Sequence, residues 1–441
     1  MQLSPIDKLM KPIDSFMHRE NTSGIILFVS LVISLIWVNS AFSHSYHEFW
    51  ETPISLTIGS FLLTNSLHHW INDGLMTIFF FVVGLELKRE FMAGELASPK
   101  RAILPLFAAL GGMIVPATIY FILNPTGPGS SGWGIPMATD IAFAIGLLAF
   151  VNNKVPIGLK VFLTALAIAD DLGAVLVIAF FYTAEVSFQN LGIAAFFLMI
   201  LIGGNMLGIR QTLFYVVIGV VGIWLPFLLS GVHATIAGVL IAFVIPARTK
   251  INEEEYTDNI KKLNDQFRKE IPINTTLLSS NQHQILQEIK RTTLYAQTPL
   301  QKFEHQLHPW VAFFIMPVFA LANSGMIIDG TFFSAFTNSV TLGVTFGLVA
   351  GKFLGVILFS LLIVKSGLAS LPQNTNWKHM SGAALFAGIG FTMSLFIAGL
   401  AFTDPALIDL AKYGILTASA IAGISGILVF KYLIKKNPEH L

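Results

Sequence analysis

"ALAIADDLGAVLVIAFF", residues 165–181, sets two adjacent aspartates, Asp170 and Asp171, in the middle of an otherwise apolar run. With the residues that flank it, the run is long enough to cross about 30 Å of hydrocarbon as a helix. A carboxylate at a bilayer centre costs about 2.5–3.5 kcal/mol even on a lenient scale, so an acid retained there points to function. The rest of the chain is built in the same way. Of its 441 residues 54% are apolar and 12% are charged, against about 25% charged in a soluble domain. The composition predicts an all-α polytopic membrane protein, because in lipid each backbone polar group must find its partner inside the chain. Net charge is +1, which offers nothing to nucleic acid. Cysteine is absent, which excludes disulfides, iron–sulfur clusters and thiolate metal sites.

Apolar runs of spanning length recur, and about twelve transmembrane helices are expected, near residues 23–42, 66–87, 102–124, 131–150, 156–182, 188–208, 211–229, 231–247, 308–325, 339–364, 379–402 and 407–433. The first is read as a retained span, since it is longer than the core of a secretory signal. Basic residues then sort by side. On this span list 24 of the 26 lysines and arginines fall on one face, which places both termini in the cytoplasm. Lys352 and Lys412 are the exceptions. The expected organisation is a cytoplasmic segment 1–22, helices one to eight over 23–247, a connector 248–303, helices nine to twelve over 304–434, and a tail 435–441. The outer loop 52–66, "TPISLTIGSFLLTNS", alternates around Gly59-Ser60 and predicts a small β-hairpin suited to interaction. In the connector Tyr256, Ile260, Leu263, Phe267 and Ile271 fall at helical spacing, as in an amphipathic segment lying on the membrane or on other loops.

Four ionisable residues lie deep in these spans: Asp140, Asp170, Asp171 and Lys352. Neighbours on a helix project about 100° apart. One aspartate of the pair can therefore face a water-filled cavity while the other turns to a partner helix, where Lys352 is the buried cation available for an ion pair. Carboxylate oxygens suit a small hard cation, so proton and cation compete for them. The fourth span, "GSSGWGIPMATDIAFAIG", and the eleventh, "SGAALFAGIGFTMSLFIAG", are both interrupted by glycine, proline or hydroxyl residues. Paired breaks predict two discontinuous helices crossing near the midplane. Asp140 could there offset the facing N-termini and Lys352 the facing C-termini.

At these residues the chain resembles the NhaA-type bacterial sodium/proton antiporters, a family that exemplifies inverted-topology repeats. The matching strings are "FFFVVGLELKREFMAGELA", "MATDIAFAIG", "LAIADDLGAV", "SGVHATIAGVLIAFVIP", "LHPWVAFFIMPVFALANSG", "GLVAGKFLGVILF" and "GIGFTMSLFIAGLAF". The resemblance implies that Asp170 and Asp171 form the shared cation and proton site, with Asp171 the main Na+ ligand and Asp170 the partner of Lys352. Thr139 and Asp140 would line the helix crossing. Glu86, Arg89, Glu90, Glu304, His305 and His308 match a cluster tied to pH response and the cytoplasmic entrance, and His233 a histidine also linked to pH. Similar members are homodimers joined through the outer hairpin. The connector is longer than the family leads one to expect.

The implied activity is secondary antiport: intracellular Na+ or Li+ traded for external protons across the bacterial inner membrane, electrogenic and pH-regulated. No nucleotide-binding motif stands in the chain, so the proton gradient would drive it. The transported ions and membrane lipid are the expected partners, with no separate cofactor. A cation channel or sodium-coupled symporter is the alternative, but neither a repeated filter motif nor a polar cluster sized for a solute is visible. An intramembrane aspartyl protease would need a Gly-x-Gly-Asp signature, which "IADDLG" lacks; a transporter rather than an enzyme is expected.

Overall fold

The computed structural model describes residues 20–58, 61–151, 155–183, 186–270, 278–328 and 330–436. Helix α1 (Glu20–Val38) ends at a sharp bend, and α2 (Ser43–Glu51) leaves it at 115°. The sequence reading carries this span to residue 42, but Asn39 and Ser40 fold back onto the carbonyls of Leu35 and Trp37 and end the helix. The chain then forms β1 (Pro53–Ile58) and β2 (Phe61–Ser66), paired antiparallel from Pro53↔Ser66 to Ile58↔Phe61. This is the expected hairpin; its turn, Gly59-Ser60, lies outside the described residues.

There follow α3 (Leu67–Ala93), α4 (Pro99–Leu123), a 3-10 segment Pro128–Met137 with α5 (Ile141–Phe150), α6 (Ile157–Phe181) and α7 (Phe188–Met206). Next come α8 (Thr212–Leu228) and α9 (Thr235–Val244), then α10 (Glu253–Lys269) and α11 (Ser280–Ala296) in the connector. The chain closes with α12 (Pro299–Asn323), the short α13 (Thr331–Ala335), α14 (Ser339–Lys365), α15 (Trp377–Ala387), α16 (Phe391–Ala401) and α17 (Pro405–Lys436). Among the described residues seven helices are long and apolar enough to cross a membrane, and ten if each of three bent pairs counts as one span. The chain is a multi-pass helical membrane protein with one small two-stranded sheet among the described residues.

Both predicted breaks are present. The 3-10 segment and α5 meet at 42° across residues 138–140, and α15 and α16 at 44° across 388–390. Elsewhere the ninth span starts earlier than the expected 308. Thr298 caps it by accepting the Gln301 amide at 3.1 Å, and Pro299 holds its first position, where a missing N–H costs nothing. The connector folds as two helices. Asn252 caps α10, whose acidic first turn and basic last turn complement the helix dipole, and a Ser279/Gln282 capping box starts α11. The hydroxyls of Tyr256 and Thr293 meet at 3.4 Å, so the two helices lie side by side. Ile271 lies outside the described residues.

Two close approaches carry the buried groups to one another. A Cβ on Gly355 of α14 would drive into the backbone carbonyl of Gly111 on α4; glycine at both positions lets the helices cross backbone to backbone. The next residue of α4, Gly112, leaves room for the Lys352 side chain. A π-helical turn, Gly347–Gly351, ends immediately before Lys352, and such turns re-aim the residues that follow. The main apolar core lies around this crossing, with Phe80, Phe319, Phe386 and Phe391 fully buried. A second cluster, including Leu201, Tyr215, Ile223 and Ile241, joins α7–α9 to α3 and the start of α12.

Candidate functional site

Asp140, Asp170, Asp171, Lys352, Thr139 and Thr392 all have 0% exposure. The paired aspartates stand mid-way along α6, and the two broken helices cross beside them. Lys352 Nζ donates to Asp170 Oδ2 at 2.5 Å, so the expected ion pair forms and Asp170 is its acid. Thr139 Oγ1 lies 2.8 Å from that same oxygen and 2.8 Å from the carbonyl of Ala387, the buried last residue of α15. Its single proton can serve either acceptor. The Thr139 hydroxyl thus stands between the Asp170 carboxylate and the C-terminus of α15.

Asp140 joins the two breaks. Its backbone N–H donates to Ile389 O at 2.7 Å. Oδ1 accepts the Phe143 amide at 2.9 Å, capping α5, and Oδ2 accepts the Thr392 amide at 3.1 Å and the Thr392 hydroxyl at 2.5 Å. One carboxylate thus answers the N-termini of α5 and α16 together, as charge complementarity to two helix dipoles requires. Both of its oxygens point at protein donors. Asp171 is the opposite case: neither of its oxygens, nor Oδ1 of Asp170, has a hydrogen-bond partner among the described residues. Buried carboxylates are normally partnered, so three oxygens on adjacent residues with no partner among the described residues set this pair apart.

At the connector end, Arg89 Nη1 pairs with Glu304 Oε1 and Nη2 with Glu90 Oε1 at 3.2 Å. Glu90 Oε2 also accepts the Glu95 amide at 3.1 Å. Glu86 is within electrostatic reach of Glu304, Arg89 and Glu90, and His308 of Arg89 and His305. The structure gathers these six residues as expected. His233 stands apart from them: its Nε2 is 2.8 Å from the Tyr182 carbonyl, at the far end of α6.

The family model described as Na+/H+ antiporter 1 matches residues 14–430. The chain belongs to this family. It is 50% identical over 439 residues to the Na(+)/H(+) antiporter NhaA of Oleidesulfovibrio alaskensis, covering 99% of this chain and 97% of that one. It is 49% identical to the namesake of Acidithiobacillus ferrooxidans, covering 95% and 97%, and 47% identical to the Na(+)/H(+) antiporter NhaA 2 of Syntrophotalea carbinolica, covering 96% of each.

Within this antiporter-family chain the sequence reading missed Thr392, Ser394 and Tyr182. Thr392 completes the Asp140 network, and Ser394 Oγ donates to Ile135 O at 2.8 Å, tying α16 to the 3-10 segment. Tyr182 Oη accepts the Gly134 amide at 3.1 Å and donates to Ser131 O at 2.7 Å. The available signal was the hydroxyl spacing in "GIGFTMS": two hydroxyls on the turn that follows a glycine break can reach the backbone exposed by the other break.

Proposed function

We propose that this chain exchanges Na+, or Li+, for protons, and that Asp171 is the group the two ions occupy in turn. The observation that carries the reading is the pair of buried Asp171 oxygens with no protein partner among the described residues, in a member of an antiporter family whose relatives are named for Na+/H+ exchange. A buried carboxylate left in this state is costly, and either a proton or an alkali cation relieves the cost; both at once do not fit. Asp170 Oδ1 supplies the adjacent ligand, while its Oδ2 stays with Lys352 and Thr139. The Lys352–Asp170 pair supplies a second group able to give up a proton. Two protons in for one Na+ out moves net charge, so exchange is electrogenic. Asp140, with both oxygens committed to the two half-helix starts, is structural at the crossing.

In the same reading the chain crosses the bacterial inner membrane twelve times. The seven long helices, the three bent pairs and the shorter apolar helices α8 and α9 are the crossings, arranged as inverted repeats with both termini inside. The basic-residue asymmetry of 24 in 26 supports that orientation. Arg89, Glu90, Glu304, Glu86, His305 and His308 would form the cytoplasmic, pH-responsive entrance, and His233 would act at the other end of α6. The hairpin, with Ile54, Leu56 and Leu62 exposed, would join two copies as a homodimer.

The test is sodium-dependent relief of an acidic interior in everted membrane vesicles, wild type beside Asp171→Asn. Loss of exchange in the variant, with wild-type abundance and folding, is expected. Undiminished exchange overturns the assignment of Asp171. Transport indifferent to membrane potential overturns the two-proton count alone.

A further inference from the structure

Helix α15 is the half-helix whose last carbonyl, Ala387 O, meets the Thr139 hydroxyl beside Asp170. Its other end is closed by a capping box that contains a histidine. Asn376 Oδ1 accepts the amides of Lys378 and His379, each at 3.0 Å, and the Asn376 amide in return donates to His379 Nδ1 at 3.2 Å. The reciprocal acceptor in such a box is ordinarily a Glu or Gln side chain, and in α11 of this chain it is Gln282. The oxygen of a Gln amide accepts at any pH. An imidazole nitrogen accepts only while it carries no proton, and the protonated ring is a donor at both nitrogens.

His379 is buried at 6% exposure, and the helix behind it is wedged in place. A Cβ at Gly382 would strike the Phe430 ring of α17, and one at Gly388, just past the end of α15, the Leu348 carbonyl of α14. Movement at the capped end therefore reaches Ala387, about 12 Å along the helix axis. The elements packed against α15 are α17, α14, α6 and α5. Among the described residues the titratable groups they carry toward the capped end are Lys160 of α6, Lys365 of α14, and Lys431, Tyr432, Lys435 and Lys436 of α17. Helix α5 carries none, and Lys378 adjoins His379 on α15 itself. Asp170, Asp171 and Lys352 belong to the crossing, and Asp409, Lys412 and Tyr413 to the opposite end of α17. No acid thus stands near the cap to hold an imidazolium, and a positive charge in a first turn opposes the helix dipole.

We infer that His379 is a positioning residue for exchange: its unprotonated imidazole holds the start of α15, and protonation releases that start and slackens the half-helix that presents Ala387 O to Thr139 and Asp170. This role rests on the exchange proposed for Asp171. It adds a proton-sensitive brace on elements other than α3 and α12, which carry Glu86, Arg89, Glu304 and His308. Imidazole titrates between about pH 5 and 8. The brace is complete on the alkaline side of that titration and lost on the acid side, so acidification slows exchange by this route.

Exchange is followed in everted vesicles from about pH 5.5 to 8.5 for wild type, His379→Gln and His379→Ala. In parallel, backbone hydrogen exchange in the first two turns of α15 is measured by mass spectrometry on the full-length protein in detergent, at both ends of that range and corrected for the intrinsic pH dependence of amide exchange. His379→Gln keeps an acceptor that does not titrate. It should match wild type at the alkaline end and carry its activity about half a pH unit or more further into acid. It should also keep the protection that wild type loses by about fivefold, the equilibrium effect of an ordinary cap. His379→Ala should behave at every pH as wild type does in acid; if it fails to accumulate, His379→Gln alone decides. An acid limb that His379→Gln leaves in place overturns the role of His379, and so does an equal acid loss of protection in both proteins. Failure of the exchange reading shows separately, as undiminished exchange in Asp171→Asn, and leaves the amide comparison standing.

Discussion

Breaking the buried ion pair from one side should harm the protein more than removing it entirely. Lys352 and Asp170 are both at 0% exposure with Nζ and Oδ2 at 2.5 Å. Lys352→Met leaves Asp170 with the Thr139 hydroxyl as its remaining partner, a nearly uncompensated buried charge, at a cost of roughly 3–5 kcal/mol. For a chain this large, at about 2 °C per kcal/mol, Tm falls by about 6–10 °C. Asp170→Asn alone strands the ammonium at a similar cost. The double variant strands neither: the introduced amide still accepts from Thr139 and the introduced thioether fills the volume beside Gly112, so most of the loss returns. With each single costing roughly 3–5 kcal/mol and the double variant near neutral, the coupling between the two substitutions is then roughly 5 kcal/mol or more. The assay is thermal unfolding in one detergent, followed by the fraction of monodisperse protein on size-exclusion chromatography after heating. If the double variant is as unstable as the sum of the singles, the two side chains are not each other's counter-ions and the site is wrongly drawn.

Asp171→Asn should leave Tm unchanged or raised while abolishing exchange, since neither Asp171 oxygen holds a protein donor among the described residues; a fall in Tm of several degrees contradicts that isolation. Thr392→Val removes the hydroxyl donor to Asp140 but keeps the amide donor, so it should cost about 1.5–3 kcal/mol, seen as a lower Tm that Thr392→Ser restores. Gly355→Val forces the α4–α14 crossing apart at Gly111, with an overpacking cost of about 1–3 kcal/mol or more, and limited trypsin digestion should show the variant opened where wild type resists. Arg89→Gln breaks a partly exposed pair with Glu304 and should change stability by under about 1 kcal/mol, with its effect in the pH profile of exchange; an unshifted profile removes Arg89 from the pH response.

The parts of the fold most legible in the sequence were those where charge or a helix breaker interrupts an apolar run. Asp170, Asp171 and Lys352 stand out because each is expensive in hydrocarbon, and their meeting follows from the scarcity of other buried cations. The crossing was legible for a related reason: glycine and hydroxyl residues mark the backbone that the breaks leave unpaired. Thr392 stayed hidden because a threonine in a membrane helix ordinarily bonds to its own preceding turn, and only the crossing shows that Asp140 is its acceptor. The true start of the ninth span was masked by "LQKFEHQLH", whose polar residues read as loop although Thr298 and Pro299 begin a helix there. The second connector helix escaped for want of a long apolar stripe; its capping box at Ser279 and Gln282 was the local signal.

The bridge made by Asp140 also bears on how thrifty the protein can be. Its carboxylate grips the beginnings of two half-helices, with Asp140 and Thr392 standing 252 positions apart in the chain, so the two starts are tied to one another. In the exchange proposed above, that shared tether would oblige both half-helix starts to shift as one body, so a slack, leaking centre would require the carboxylate to let go of one of them first.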